Sequence, residues 1–209
     1  KGYGIVSCSS CVAGKYGTNN AALYTHGDHL LGATSAAACD DCPAGKYQNI
    51  NGGSSLCKDC STGKWSDATG LSQDLCQKCT AGKFSDVEGL TSDAECKECA
   101  AGRYSGDVGL IAECVLECSA GKFSSQTGRI ADSQCSGKCA PGMFSTETGL
   151  TAANQCDECP KGRISETEGS ISCTTCGPGQ YTEQTAQTTC LGCGPGKLID
   201  PSKSASNEH

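Results

Sequence analysis

The residues able to do chemistry in this chain are its twenty cysteines, set in ten pairs with two or three residues between the members of each pair. Paired thiols at that spacing hold a metal as thiolates, exchange electrons as a redox couple, or close covalent links. Two Cys-x-x-Cys pairs about 15 to 20 residues apart form a tetrathiolate zinc spacing, and ten pairs would make roughly five sites. A zinc array uses two pairs per site, so segments inside a site should differ from the linkers between sites. Here successive intervals look alike, which weighs against zinc. A thioredoxin-like redox site needs one pair on a βαβ scaffold, and ten equivalent pairs do not match that. In the third reading, the second Cys of each pair is bonded to the first Cys of the next, and every interval is treated identically.

Composition points the same way. The even count of twenty cysteines in 209 residues is close to the density of secreted disulfide scaffolds. One Trp, six Tyr, three Phe and one Met, diluted by 28 Gly, cannot supply an ordinary core. A net charge of −7 with no Lys/Arg cluster argues against nucleic acid and anionic membrane surfaces as partners. The most apolar run, about residues 108 to 116, is broken by Glu113 and falls far short of the ~20 residues that span a bilayer. No targeting segment is visible, and position 1 is Lys; the chain reads as a processed product or an excised piece.

The elements that must position the cysteines come from one short repeat. The first Cys of each pair stands at 8, 39, 57, 76, 96, 114, 135, 156, 173 and 190, a period of 17 to 21 residues after one gap of 31. Three residues after each second Cys comes a glycine: 14, 45, 63, 82, 102, 121, 142, 162, 179 and 196. Two further on stand Tyr16, Tyr47, Trp65, Phe84, Tyr104, Phe123, Phe144, Ile164, Tyr181 and Leu198. A second glycine follows ten residues after the Cys, at 52, 70, 89, 109, 128, 149 and 169, with Ala21 and Ala186 in its place near the two ends. Pro before the first glycine, as at Pro141, Pro178 and Pro195, suits a type II turn, whose second central residue needs positive φ. The sequence therefore predicts small disulfide-rich repeats forming an elongated rod of tandem units, with short β-ribbons and turns and very little helix. One helical turn is expected over residues 34 to 39. The rings are read as inward packing, and the Lys or Arg that precedes the ring position in eight of the ten repeats (Lys15, Lys46, Lys64, Lys83, Arg103, Lys122, Arg163 and Lys197) as a solvated flank facing acidic loop residues such as Asp67, Asp86, Glu88, Glu147, Glu166 and Glu168 of adjoining units.

Units such as CPAGKYQNINGGSSLCKDC and CTAGKFSDVEGLTSDAECKEC resemble the ephrin-receptor-like cysteine-rich repeat, with its Cys-x-x-Cys-x-x-Gly-x-aromatic-Ser signature, over about residues 39 to 193. They are also similar to the simplest single-disulfide module of tumour necrosis factor receptors. That similarity implies the bonds Cys11 to Cys39, Cys42 to Cys57, Cys60 to Cys76, Cys79 to Cys96, Cys99 to Cys114, Cys118 to Cys135, Cys139 to Cys156, Cys159 to Cys173 and Cys176 to Cys190. The departures are the three-residue spacers at Cys114/Cys118 and Cys135/Cys139, the non-aromatic Ile164 and Leu198, and the insertion in the first interval. The resemblance implies an extracellular location, rod-like arrays in receptors and in surface proteins of algae and protists, and no catalysis.

Three regions follow: an atypical N-terminal unit with its insertion (1–38), the tandem repeats (39–193) and a C-terminal tail (194–209). The pairing leaves Cys8 and Cys193 over, one near each end, and an unmatched half-cystine invites an intermolecular bond. The insertion, with Leu23, Tyr24, Leu30 and Leu31, and the tail, with Leu198 and Ile199, are the expected contact segments. His26, Asp28 and His29 cluster without a fourth ligand, so no metal and no other cofactor is expected. With His209 the only other histidine, no nucleophile-His-acid set is available and the chain is read as no enzyme. No Asn-x-Ser/Thr acceptor occurs, while loop Ser and Thr leave O-glycosylation open. The expected function is an extracellular or cell-surface structural protein, a stiff rod that assembles with itself head to tail into a filament, flagellar hair or surface coat. The alternative is a ligand-binding or adhesion segment of a receptor ectodomain, with extracellular protein or glycan partners.

Overall fold

The computed structural model describes residues 11–17, 39–50 and 56–197. The helical turn expected at 34 to 39, the His26, Asp28, His29 cluster, Cys8 and the tail beyond residue 197 lie outside them, apart from Cys39 itself. Two compact units emerge: the described residues up to 80 together with 84–97 and 108–112, and a second unit of 81–83, 98–107 and 113–197.

The repeating element is a two-stranded hairpin, and nine such sheets occur among the described residues. In the first unit Lys64–Trp65 pairs antiparallel with Gln77–Lys78, and Lys46–Tyr47 with Lys58–Asp59. In the second, Arg103–Tyr104 pairs with Leu116–Glu117, and Met143–Phe144 with Asp157–Glu158. Strands of two or three residues are too short to stand alone. Helix among the described residues is confined to single 3-10 turns at Asp93–Glu95, Asp132–Gln134 and Ala153–Gln155.

Each hairpin is entered through a turn that the sequence dictates. The Met143 N–H donates to the Ala140 carbonyl at 2.9 Å across Pro141 and Gly142, whose φ is +82°. Proline presets the first central residue and glycine supplies the positive φ of the second, as a type II turn requires. The same bond recurs from Lys64 to Ser61 at 3.0 Å, where Gly63 has φ +73°.

The core is sulfur with a thin apolar cover. Cys42, Cys60, Cys79, Cys99, Cys118, Cys139 and Cys159 are fully buried. In the first unit Trp65 packs against Cys79, Leu90 and Cys96. In the second, Phe123 and Met143 cover Cys139, Leu150 and Cys156. The rings are less enclosed than inward packing implies. Phe84 and Ile164 are buried, whereas Tyr16, Tyr47, Trp65, Tyr104, Phe123, Phe144 and Tyr181 are half-buried. A two-residue strand has no second layer above it, so most of these side chains cover a neighbour with one face and leave part of themselves in solvent.

Candidate functional site: the disulfide ladder and the contacts between repeats

Nine disulfides run along the described residues. They join Cys11 to Cys39, Cys42 to Cys57, Cys60 to Cys76, Cys79 to Cys96, Cys99 to Cys114, Cys118 to Cys135, Cys139 to Cys156, Cys159 to Cys173 and Cys176 to Cys190. Cys193 is a half-buried free thiol. The Glu113 carboxylate lies within 4.8 Å of the sulfurs of Cys99 and Cys114. Those sulfurs are bonded to each other, so they offer no thiolate to a metal. A ladder of this kind in a chain with so little apolar core belongs to an oxidising environment. No helix among the described residues is long and apolar enough to cross a membrane.

Backbone hydrogen bonds tie each repeat to the next in a fixed pattern. The second glycine of one repeat donates its N–H to the carbonyl of the Cys that opens the repeat before it: Gly70 to Cys42 at 2.8 Å and Gly89 to Cys60 at 2.8 Å in the first unit. Gly128 to Cys99 at 2.9 Å and Gly169 to Cys139 at 2.7 Å repeat it in the second. The residue after the ring then donates to the residue after the next second glycine, as in Ser66 to Leu90 at 3.0 Å and Ser124 to Leu150 at 3.1 Å. Trp65 and Leu90 form a parallel bridge, as do Phe123 and Leu150. These bonds satisfy backbone groups that two-residue strands would leave unpaired.

A third contact reaches two repeats ahead. A β-carbon on Gly63 would stand 2.5 Å from the carbonyl oxygen of Gly109, and one on Gly102 would run into that of Gly149. The first glycine is thus required twice, by its positive φ and by a backbone lying against its α-carbon.

Two positions carry more of this packing than the sequence reading assigned to them. The residue after the ring is buried in every described repeat after the first: Gln48, Ser66, Ser85, Ser105, Ser124, Ser145, Ser165 and Thr182. Small hydroxyls fit there because they bond locally, as Ser85 Oγ does in donating to the Val87 carbonyl at 2.9 Å and accepting the Val87 N–H at 3.1 Å. The residue after the second glycine is the other, with Leu90 and Leu150 buried. The signal was present in the recurrent Gly-Leu of Gly70-Leu71, Gly89-Leu90, Gly109-Leu110 and Gly149-Leu150.

The flanking bases pair differently from the expectation. Lys46 bonds Asp59 across its own hairpin at 2.6 Å, and Arg103 bonds Glu117 at 3.1 Å in the same way. Asp86 is held instead by Lys97 at 2.7 Å, and Glu168 by Lys138 at 2.5 Å. The antiparallel register sets Lys46 opposite Asp59 and Arg103 opposite Glu117, and that proximity decides these two pairs; Lys64 and Lys122, which face Lys78 and Lys138, turn instead to Asp74 and Asp132. These exposed pairs are each worth about 0 to 1 kcal/mol. The Lys97 ammonium holds the Asp86 carboxyl below its ordinary range, and the Thr91 hydroxyl does the same for Glu95. Asp132 is held lower, to about 2, by the Lys122 ammonium and then by the Ser119 hydroxyl and N–H.

No protein-family model matches the chain, and no curated protein matches it. The described residues form a cysteine-rich, disulfide-laddered array of small hairpins whose backbone bonds recur from repeat to repeat.

Proposed function

We propose that this chain is an extracellular structural protein, a stiff rod of ephrin-receptor-like repeats that assembles head to tail into a filament, flagellar hair or surface coat. One observation carries the reading: the same set of backbone bonds recurs from repeat to repeat in both units. Uniform linkage suits a spacer or polymer, because each repeat hands the same geometry to the next. The clefts beside Phe123, Ser125 and Ser136 (about 150 Å³) and beside Thr182, Gln184 and Leu191 (about 250 Å³) are smaller than the ~300 to 1,000 Å³ of ordinary small-molecule sites. The protein acts without catalysis. Its chief partner is itself, through a bond from Cys193 of one copy to Cys8 of the next.

A receptor or adhesion role is the second reading. It draws support from the second unit, where Val115 is 80% exposed and the neighbouring Leu116 46%. Electron microscopy of oxidised protein, with non-reducing gels alongside, separates the two. Filaments whose axial repeat equals one chain, and multimers that collapse to a single band on reduction, are expected. Dispersed short particles running as a monomer would overturn the structural reading in favour of the receptor one.

A further inference from the structure

Three departures from the repeat meet at one hairpin of the second unit, that of Arg103–Tyr104 and Leu116–Glu117. Arg129 stands where four other repeats carry Leu71, Leu90, Leu110 and Leu150. Strand register makes Val115 the extra residue of the Cys114/Cys118 spacer, and both it and Leu116 are exposed. Gly106 occupies a position that holds Asp67, Asp86, Ser125, Thr146 and Glu166 in other repeats, and a β-carbon on it would stand 3.3 Å from the Ile130 carbonyl. Glycine there leaves the ground beside Arg129 clear.

Tyr104 pairs with Leu116 on one side and forms a parallel bridge with Arg129 on the other. Paired residues of neighbouring strands project to one face, so Leu116, Tyr104 and Arg129 share a face on which the outer two stand about 10 Å apart at their α-carbons. The guanidinium on that face has no answer in the chain. Arg129 is half-buried, its Nε is buried with no hydrogen-bond partner, and no ion pair reaches it among the described residues. A buried N–H without an acceptor is costly, and leucine at the same position avoids the cost. Arg103, by contrast, is committed: it donates to the Glu117 carboxylate and to the Cys114 carbonyl, both at 3.1 Å. Those two bonds brace the spacer that carries Val115 and Leu116.

We infer that this face docks an extended segment of a partner protein, which brings one carboxylate to Arg129 and one apolar side chain to Val115 and Leu116. A guanidinium binds a carboxylate through paired N–H donors, and tyrosine and arginine are favoured anchors of protein contacts. Alternate side chains of an extended segment lie on one face about 7 Å apart, within the span from Leu116 to a long arginine. A polyanion is disfavoured, because it needs clustered bases, whereas this repeat carries Asp107, Glu113 and Glu117 in a chain of net charge −7. The face is present whether or not chains join end to end, so head-to-tail growth stands or falls separately.

The test is an NMR titration of the full oxidised chain, isotope-labelled and with free thiols alkylated. The probe is a capped tripeptide, N-acetyl-Asp-Ala-Leu-amide. The Arg129 Nε–H signal, identified by its loss in Arg129→Leu, should shift saturably together with the Val115 and Leu116 amides. Asparagine in place of the probe's aspartate should weaken binding about tenfold or more. Val115→Ser should weaken it about threefold or more. Arg129→Leu, which installs the residue of the sister repeats, should keep its disulfides by intact mass and lose the response at Val115 and Leu116. No saturable shift at Arg129, or equal binding of the asparagine probe, would overturn the inference. So would an Arg129 signal that moves in the free chain on Asp107→Asn, which makes Asp107 its partner, or one that moves with protein concentration alone, which makes a second copy the occupant. Tighter binding of a sulfated oligosaccharide at the same signals would put a polyanion in the peptide's place and overturn it as well.

Discussion

At the scale of single residues, glycine and aspartate do work that their size and charge make specific. Gly102 has φ +75°, and the Gly149 carbonyl occupies the space a methyl group would need. Gly102→Ala should cost at least about 1 to 2 kcal/mol from the backbone conformation alone, with the clash added. A fall of that size or more in denaturant stability, measured oxidised, is expected; a change within 0.5 kcal/mol, the usual range for surface substitutions, would refute the close approach. Asp132 accepts from Lys122 Nζ at 2.6 Å and from the Ser119 N–H at 2.8 Å, bonds that only the carboxylate accepts fully. Its folded pKa, about 2, lies below the ordinary 3.8. The folded state therefore gains from Asp132 above about pH 4 and loses that gain as the pH falls toward 2. Asp132→Asn should flatten the stability profile between those values, read from thermal melts at stepped pH.

At the scale of the hairpin, a two-residue strand pair is held by its disulfide and by its neighbour's ring and leucine. The Cys139 to Cys156 bond spans a sequence separation of 17, so its removal as Cys139→Ala with Cys156→Ala should cost about 3 kcal/mol. The cost should also be local. Amide exchange should rise first at Met143, Phe144, Asp157 and Glu158, and next in the repeats whose bonds end on Cys139, because the Gly169 N–H donates to its carbonyl. Uniform loss of protection across the second unit would mean that the repeats are not separable elements. Leu150, 3% exposed, covers the same disulfide. Leu150→Ala should cost about 2 to 3 kcal/mol by urea titration, toward the low end for buried leucine because so thin a core collapses readily.

At the scale of the whole molecule, sulfur stands in for the interior that ten aromatics cannot build. Ordering a repeat costs about 1.5 kcal/mol per residue, which one ring and one leucine do not offset. Full reduction should therefore unfold both units together. Loss of amide protection throughout, with a mass gain of roughly 18 Da for nine bonds, is the expected result. A reduced chain that kept its protected amides would show that apolar packing, not sulfur, holds the fold.

The period of the cysteines, the two glycines and the ring was enough to name a disulfide-rich array of short ribbons with little helix. Those features are local: a turn needing positive φ or a strand too short to stand alone is written in a few adjacent residues. The Gly-Leu recurrence was equally visible but silent, because nothing in one repeat says what its leucine touches. Tertiary structure alone decided that the residue after the ring is buried while most rings are only half-covered, and that Lys46 and Arg103 pair across their own hairpins. It also decided that the first glycine faces a carbonyl two repeats away. Each of these depends on where a neighbouring repeat lies in space, and separation along the chain does not encode that distance.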